Sequence, residues 1–359
     1  MTTMTALRLT DWQREATLQE VPRPVAGPGE VVVQVGGAGA CHSDLHLMHE
    51  FAPGTLPWNP PFTLGHENAG WVHQVGDGVR GLVPGQAVAV VGAWGCGRCA
   101  HCRAGLETYC EDPAAAPVPA GGGGLGMDGG MAEYLLVPDA RNLVPLPDSL
   151  SPSSAAPLTD AALSPYHAVR RSLPKLVPGS TAVVIGAGGL GHLGVQVLHA
   201  LTAARIIVVD PKAEALQLAK TGGADVLLSP GPGTAEEIRS LTDGHGADVV
   251  LDFVGSDATL ALAATCSRQL GDLTVVGLGG GTLPISFFGV PYEVSVQTTY
   301  WGNRSELVEV LDLAARGLIR ADVTTFPLEE APAAYAGLAA GEIVGRAVIV
   351  PFAHYTPDQ

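Results

Sequence analysis

Lysine is nearly missing from this chain: Lys175, Lys212 and Lys220 are the only three in 359 residues, and all basic residues total 19 against 35 acidic ones. The formal charge of -16, with arginines scattered and never clustered, excludes nucleic acid and an anionic membrane as partners. No continuous apolar run stands between Met1 and Glu20, so no signal peptide is expected, and reduced cysteines in a cytoplasmic protein follow. One stretch, Leu176 to Ala204, has no charged residue and is long enough to imitate a membrane span. Its glycines, His192 and His199, and a strand-to-helix break within it point to a buried βαβ unit. Internal repeats are absent.

Cysteines are few, six in all, and four of them fall within fifteen residues as Cys96, Cys99, Cys102 and Cys110. Four thiolates on short glycine-containing turns can close a tetrahedron around one zinc ion and leave no position for water, which describes a structural site. Disulfide pairing or a redox pair fits less well, because such frameworks belong mainly to short secreted chains. Cys266 lies in an apolar, helix-like context and reads as an inert buried thiol. Cys41 opens Cys41-His42-Ser43-Asp44 and needs another explanation.

The length allows about two domains. Over the first 150 residues Gly and Pro interrupt short β-branched runs such as Val31 to Val33 and Val88 to Val91, which predicts many short strands. From about Ser172, apolar runs at Thr181 to Ile185, Ile206 to Val209, Asp248 to Phe253 and Leu273 to Val276 alternate with helix-length segments, the rhythm of a parallel sheet. A helix over Glu306 to Ala315 and a strand over Arg346 to Val350 return the chain to its first part. The glycine-rich segment Pro113 to Gly130 reads as a flexible loop. Pro284 to Val296 offers an apolar sheet edge for pairing between subunits.

Gly186, Gly188 and Gly191 form Gly-x-Gly-x-x-Gly directly after an apolar strand and at the head of a helix. The first glycine permits a tight turn, the second lets backbone approach a pyrophosphate, and the third allows close helix-to-strand contact, while the helix N-terminus attracts phosphate. Asp210 closes the next strand, where a carboxylate accepts hydrogen bonds from ribose hydroxyls and repels a 2′-phosphate. Pro211 and Lys212 follow it, and no arginine stands there to receive that phosphate. NAD is therefore expected over NADP.

A catalytic zinc needs three protein ligands and one open position. Cys41 and His66, in Cys41-His42-Ser43-Asp44 and Leu64-Gly65-His66-Glu67, sit beside glycine in segments suited to a cleft. The residues alone leave the third ligand open.

These motifs, with the four-cysteine cluster, Met131-Ala132-Glu133-Tyr134 and the Gly186 turn, occur in the order and approximate spacing of the zinc-containing alcohol dehydrogenases of the medium-chain dehydrogenase/reductase family. The chain resembles that family over essentially its whole length. Pro157 to Ala161 and Thr299 to Gly302 are most similar to bacterial NAD-dependent secondary-alcohol dehydrogenases. The resemblance implies an α/β protein in which a GroES-like β-rich catalytic domain, 1–161 and 300–359, brackets a Rossmann doubly wound parallel sheet, 162–299. It implies two zinc ions per chain, one structural and one catalytic, with Asp160 as third catalytic ligand, Glu67 as an alternative or supporting carboxylate, and Asp44 orienting His66.

It further implies that Ser43 hydrogen-bonds the substrate oxygen and that His46 exchanges the proton with solvent. For NAD(H) it implies contacts from His42 and Arg346 to phosphate, from Ser164 on the helix face of Asp160 to nicotinamide, and from Gly189, Leu190, Val254, Gly277 and Leu278. One departure stands out: relatives commonly carry a basic residue where this chain has Ala215, and Lys212 is the available substitute. Trp58, Leu125, Tyr300 and Trp301 match positions lining the substrate cleft, an apolar wall suited to medium-chain or aryl secondary alcohols and their ketones. A primary aryl or terpenoid alcohol dehydrogenase is the second enzyme reading, and a silent zinc-stabilised nucleotide-binding protein is the reading from another class. A homodimer or homotetramer acting on small molecules is expected.

Overall fold

The computed structural model describes residues 2–357, which divide into two compact units. Among these, the first comprises 2–163, 301–316 and 321–357, and the second 164–300 and 317–320.

The first unit is built on a seven-stranded sheet. Its path runs Leu143–Pro145, Ala87–Val90, Glu67–Val75, Val31–Ala40, Arg346–Ile349 and Val323–Phe326, with Tyr134–Val137 pairing to Val31–Ala40 off this path. All ten residues of Val31–Ala40 are buried, because it is covered on both faces and paired on both edges. The late strand Arg346–Ile349 lies antiparallel to its end, Ala347 opposite Ala40. That pairing brings the last tenth of the chain beside Cys41. Thr17–Pro22, Thr3–Leu9 and Phe62–Thr63 form a second, three-stranded sheet.

The glycine-rich segment corrects an expectation. Pro113 to Gly130 is not a free loop: Gly121 to Gly124 are buried, and Gly122–Gly123 pairs with Gly126–Met127. A Cβ on Gly122 would run into the carbonyl oxygen of Gly92, so glycine is present because backbones touch there.

The second unit carries six parallel strands in the order Val226–Leu228, Arg205–Val209, Thr181–Ile185, Ala247–Asp252, Ser267–Val275 and Ser295–Thr298. Counted along the chain this is 3-2-1-4-5-6, and the order reverses between Thr181–Ile185 and Ala247–Asp252. Ligands of such sheets bind outside the carboxyl ends of strands at that reversal. The charge-free stretch resolves into strand Thr181–Ile185 and the 11-residue helix Gly191–Leu201. Among the described residues no helix is long and apolar enough to cross a membrane.

Candidate metal centre and dinucleotide turn

Two groups of side chains bring their donor atoms within 4.8 Å of one another: Cys96, Cys99, Cys102 and Cys110, and Cys41, His66, Glu67 and Asp160. In the first group short turns do the work. The backbone N–H of Cys99 donates to Cys96 Sγ at 3.4 Å, and that of Cys102 donates to Cys99 Sγ at 3.4 Å. Donors from Cys102 and Glu111 lower the Cys99 thiol to about 6, whereas burial raises Cys102 to about 12. Four free thiols so arranged suit one tetrahedral zinc.

The second group is assembled by the fold. Cys41 follows the strand Val31–Ala40 and caps the helix His42–His49, His66 precedes Glu67–Val75, and Asp160 follows the 3₁₀ turn Ala156–Thr159. His66 Nε2 lies 3.7 Å from Asp160 Oδ2 and 3.3 Å from Ser43 Oγ. On the far side of the ring, Nδ1 faces Asp44 Oδ1 at 3.2 Å, a close ionic approach without the alignment of a hydrogen bond. Burial lowers the His66 pKa, but Asp44, Asp160 and Cys41 together raise it well above its ordinary value. An imidazole among acids, drawn toward the cationic form, marks a cavity shaped for positive charge.

Glu67 supplies a further sign of fit. It is fully buried, Oε1 receives the Arg346 guanidinium, and Oε2 has no hydrogen-bond partner among the described residues. Burial, with Asp160 in the same sense, raises its pKa to about 7 against the pull of Arg346 and His66. A thiol, an imidazole and two carboxylates, one with an unmatched oxygen, are the donor types that zinc accepts at a catalytic site.

Several expectations change here. Arg346, expected on a cofactor phosphate, is 2% exposed and paired with Glu67, since its strand lies against the metal centre. Asp160 and Ser164 do not share a helix face: the helix begins at Leu163, after a turn that separates them. Ser164 itself is buried. Trp58 is built into the core, stacked on Trp12 with ring centroids 6.0 Å apart, and Leu125 packs on that core. Tyr300 is 44% exposed in the second unit. Trp301 meets the His66 ring edge-on at 5.9 Å, and holds φ +53 to do so, a backbone state that a bulky residue rarely adopts.

His42 is exposed at the first turn of its helix, while half-buried His46 contacts Glu50 Oε2 at 2.7 Å through Nδ1. Tyr335 and Arg346 gave no local signal of any link to the centre, because their partners Asp44 and Glu67 are 291 and 279 residues away. Burial and Asp44 raise the Tyr335 phenol well above its usual value, so it stays a donor.

In the second unit Gly186 turns the chain at φ +84, and a Cβ on Gly191 would strike the Gly186 carbonyl. Nothing lies within 4 Å of where a Gly188 Cβ would stand, which leaves that backbone open to a ligand. Gly188 is exposed, and Gly189 and Leu190 are half-buried at the helix entrance. Asp210 is 7% exposed and accepts the N–H of Ala187 at 2.7 Å and of Lys212 at 2.8 Å. The carboxylate thus ties the glycine turn to its own strand. Asp252 ends the neighbouring strand in the same manner, accepting from Val254 and Gly255 at 2.8 and 3.0 Å. An acid closing an apolar strand was the available signal for it. Gly277 packs on the backbone of Val254, and Val254 and Leu278 are exposed beside this turn. Cys266 is fully buried, and burial raises its thiol to about 12.

Comparison with known proteins agrees with this arrangement. The alcohol dehydrogenase GroES-like domain matches residues 27–148, and the zinc-binding dehydrogenase domain matches residues 189–316. An NAD-dependent alcohol dehydrogenase of Sulfurisphaera tokodaii is 38% identical, covering 97% of this chain and 100% of the relative. The alcohol dehydrogenase of Aeropyrum pernix superposes with a TM-score of 0.88 at 36% identity, over 97% of this chain and 100% of that one. An acetophenone reductase from Geotrichum candidum, solved with NAD, gives 0.83 at 32% identity over 98% of both chains. The chain belongs to the zinc-containing alcohol dehydrogenases of the medium-chain dehydrogenase/reductase family.

Proposed function

We propose that this protein is an NAD(H)-dependent zinc alcohol dehydrogenase that interconverts secondary alcohols, aryl-bearing or of medium chain length, and their ketones. The observation that carries the reading is the group of buried Cys41, His66 and Glu67 with half-buried Asp160, and the Ser43 hydroxyl 3.3 Å from His66 Nε2. Cys41, His66 and Asp160 would hold the catalytic zinc, with Glu67 in reserve, and the four-cysteine group the structural one. Zinc supplies Lewis acidity that makes an alcohol easier to deprotonate, and the nicotinamide supplies the hydride acceptor.

The chain's own residues do the rest. Ser43 stands beside the ligand set and can relay the hydroxyl proton of a substrate placed there, passing its own proton onward as it accepts the substrate's, so that it stays neutral. Half-buried His46, held by Glu50, is the outlet through which that proton exchanges with solvent. Asp210 selects the unphosphorylated ribose, and Gly188 leaves room for the pyrophosphate. His42, Ser164, Val254 and Leu278 remain proposed cofactor contacts, and Trp301 a proposed wall of the substrate site.

A catalytic domain of 1–161 and 300–359 around a nucleotide domain of 162–299 is supported by compact units that part at Leu163 and Tyr300. A second copy of the chain is the expected partner, giving a homodimer or homotetramer in the cytoplasm. The edge strand Ser295–Thr298 and the exposed Phe287, Phe288 and Tyr292 support that pairing. The acetophenone reductase likeness favours ketones over aldehydes. Specificity constants for 1-phenylethanol and benzyl alcohol test this: a higher value for benzyl alcohol would move the assignment to primary alcohols. Zinc analysis should give two ions per chain, one removable by chelation with loss of activity. A single ion would leave only a zinc-stabilised nucleotide-binding protein.

A further inference from the structure

Tyr335 lies on the helix Ala331–Ala339, is 4% exposed, and donates its hydroxyl to Asp44 Oδ2 at 2.6 Å. The same oxygen accepts the backbone N–H of Cys41 at 3.1 Å. With Oδ2 held from two directions the carboxylate plane is fixed, and Oδ1 is left facing His66 Nδ1 at 3.2 Å. Asp44 is completely buried, so no solvent could replace the phenol if it were removed. The aromatic ring alone would fill this part of the core equally well as phenylalanine. What phenylalanine could not do is hold the carboxylate.

We propose that Tyr335 is a positioning residue for the buried metal centre: by holding Asp44 it keeps His66 in the orientation that binds the ion. The inference rests on the metal site assigned above. Partners behind a metal-bound histidine usually change metal affinity by about 10- to 100-fold. Tyr335 acts one residue further back, so an effect of roughly three- to tenfold is expected.

The test compares the zinc-loaded full-length protein with Tyr335→Phe, Asp44→Asn and the double variant, following zinc loss to a chelator. Tyr335→Phe should release the labile zinc roughly three- to tenfold faster, with the four-cysteine zinc retained. In the cobalt-substituted protein its visible absorption bands should shift. In the Asp44→Asn background the tyrosine substitution should add little, because the route from Tyr335 to His66 is already cut. Unchanged release and unchanged cobalt bands in Tyr335→Phe would overturn the proposal, as would a full additional effect in the double variant. If Tyr335→Phe does not fold, cobalt protein made with 3-fluorotyrosine, a stronger donor, must show shifted bands, and unshifted bands would overturn the proposal. A native protein with only one zinc would instead overturn the metal-site reading, so the two failures are distinguishable.

Discussion

The cysteine group draws its donors from fifteen neighbouring positions, whereas the Cys41 group draws them from three segments that reach from residue 41 to residue 160. Three of the four knot cysteines are only half-buried, and their sulfurs are stabilised by backbone N–H groups of the same turns. In the Cys41 group Cys41, His66 and Glu67 are buried and Asp160 is half-buried; the group is rich in acids and balanced by Arg346 and Tyr335 from the end of the chain. Local chain can therefore prepare the first site alone, while the second exists only once tertiary structure has closed around it. Sealing with four thiolates gives permanence, and an acid-rich hollow with a mixed donor set gives chemistry.

Separate disruption of the two sites is the strongest way to break this comparison. Asp160→Ala should remove one zinc and cut turnover by more than about a hundredfold, with the thermal midpoint little changed. Cys102→Ala should remove the other zinc and lower the midpoint by many degrees, since structural zinc contributes on the order of 10 kcal/mol to folding. Zinc content, turnover and melting of both variants decide the matter, and loss of the same ion from both would end the distinction. The pH response follows from the thiols. With Cys102 raised to about 12, zinc uptake at neutral pH must expel its proton, so the hold of the knot weakens as pH falls.

A smaller effect is expected at the dinucleotide turn. Asp210→Gly removes the acceptor for the Ala187 and Lys212 N–H groups as well as the proposed ribose contact. Hydrogen bonds to a charged acceptor contribute about 1.5 to 3 kcal/mol each. NADH affinity should drop by roughly tenfold or more, and the ratio of specificity constants should move toward NADPH. A variant that keeps the native preference would remove Asp210 from cofactor selection. Smallest of all, His46→Ala should slow alcohol oxidation a few-fold, mainly below neutral pH, because bulk hydroxide takes over as pH rises. A parallel decrease at every pH would mean that His46 is not the outlet.

Legibility in the sequence follows contact range. The parallel sheet and its glycine turn can be read because apolar runs, Gly186 and Asp210 lie within one βαβ unit, where periodicity and spacing carry the information. The knot can be read for the same reason. Arg346 was readable as a charge, but not as the partner of Glu67, since nothing in Val344-Gly345-Arg346 records that its strand will lie antiparallel to Val31–Ala40. Gly121 to Gly124 misled in a different way. Composition cannot separate glycine chosen for freedom from glycine chosen for backbone contact, and here the contact with Gly92 decides. The break between Asp160 and Ser164 escaped because Pro157-Leu158-Thr159 continues into a 3₁₀ turn that ends one residue before the acid.

The pairing of Glu67 with Arg346 has a consequence for biosynthesis. Translation delivers the carboxylates early and their balancing cation and phenol almost last. A ribosome-bound chain stalled near residue 330 would lack the strand that lies against Ala40 and the phenol that holds Asp44, so the finished geometry of the mixed-donor hollow has to await near-completion of the polypeptide, whereas all four cysteines of the other lobe are already in place.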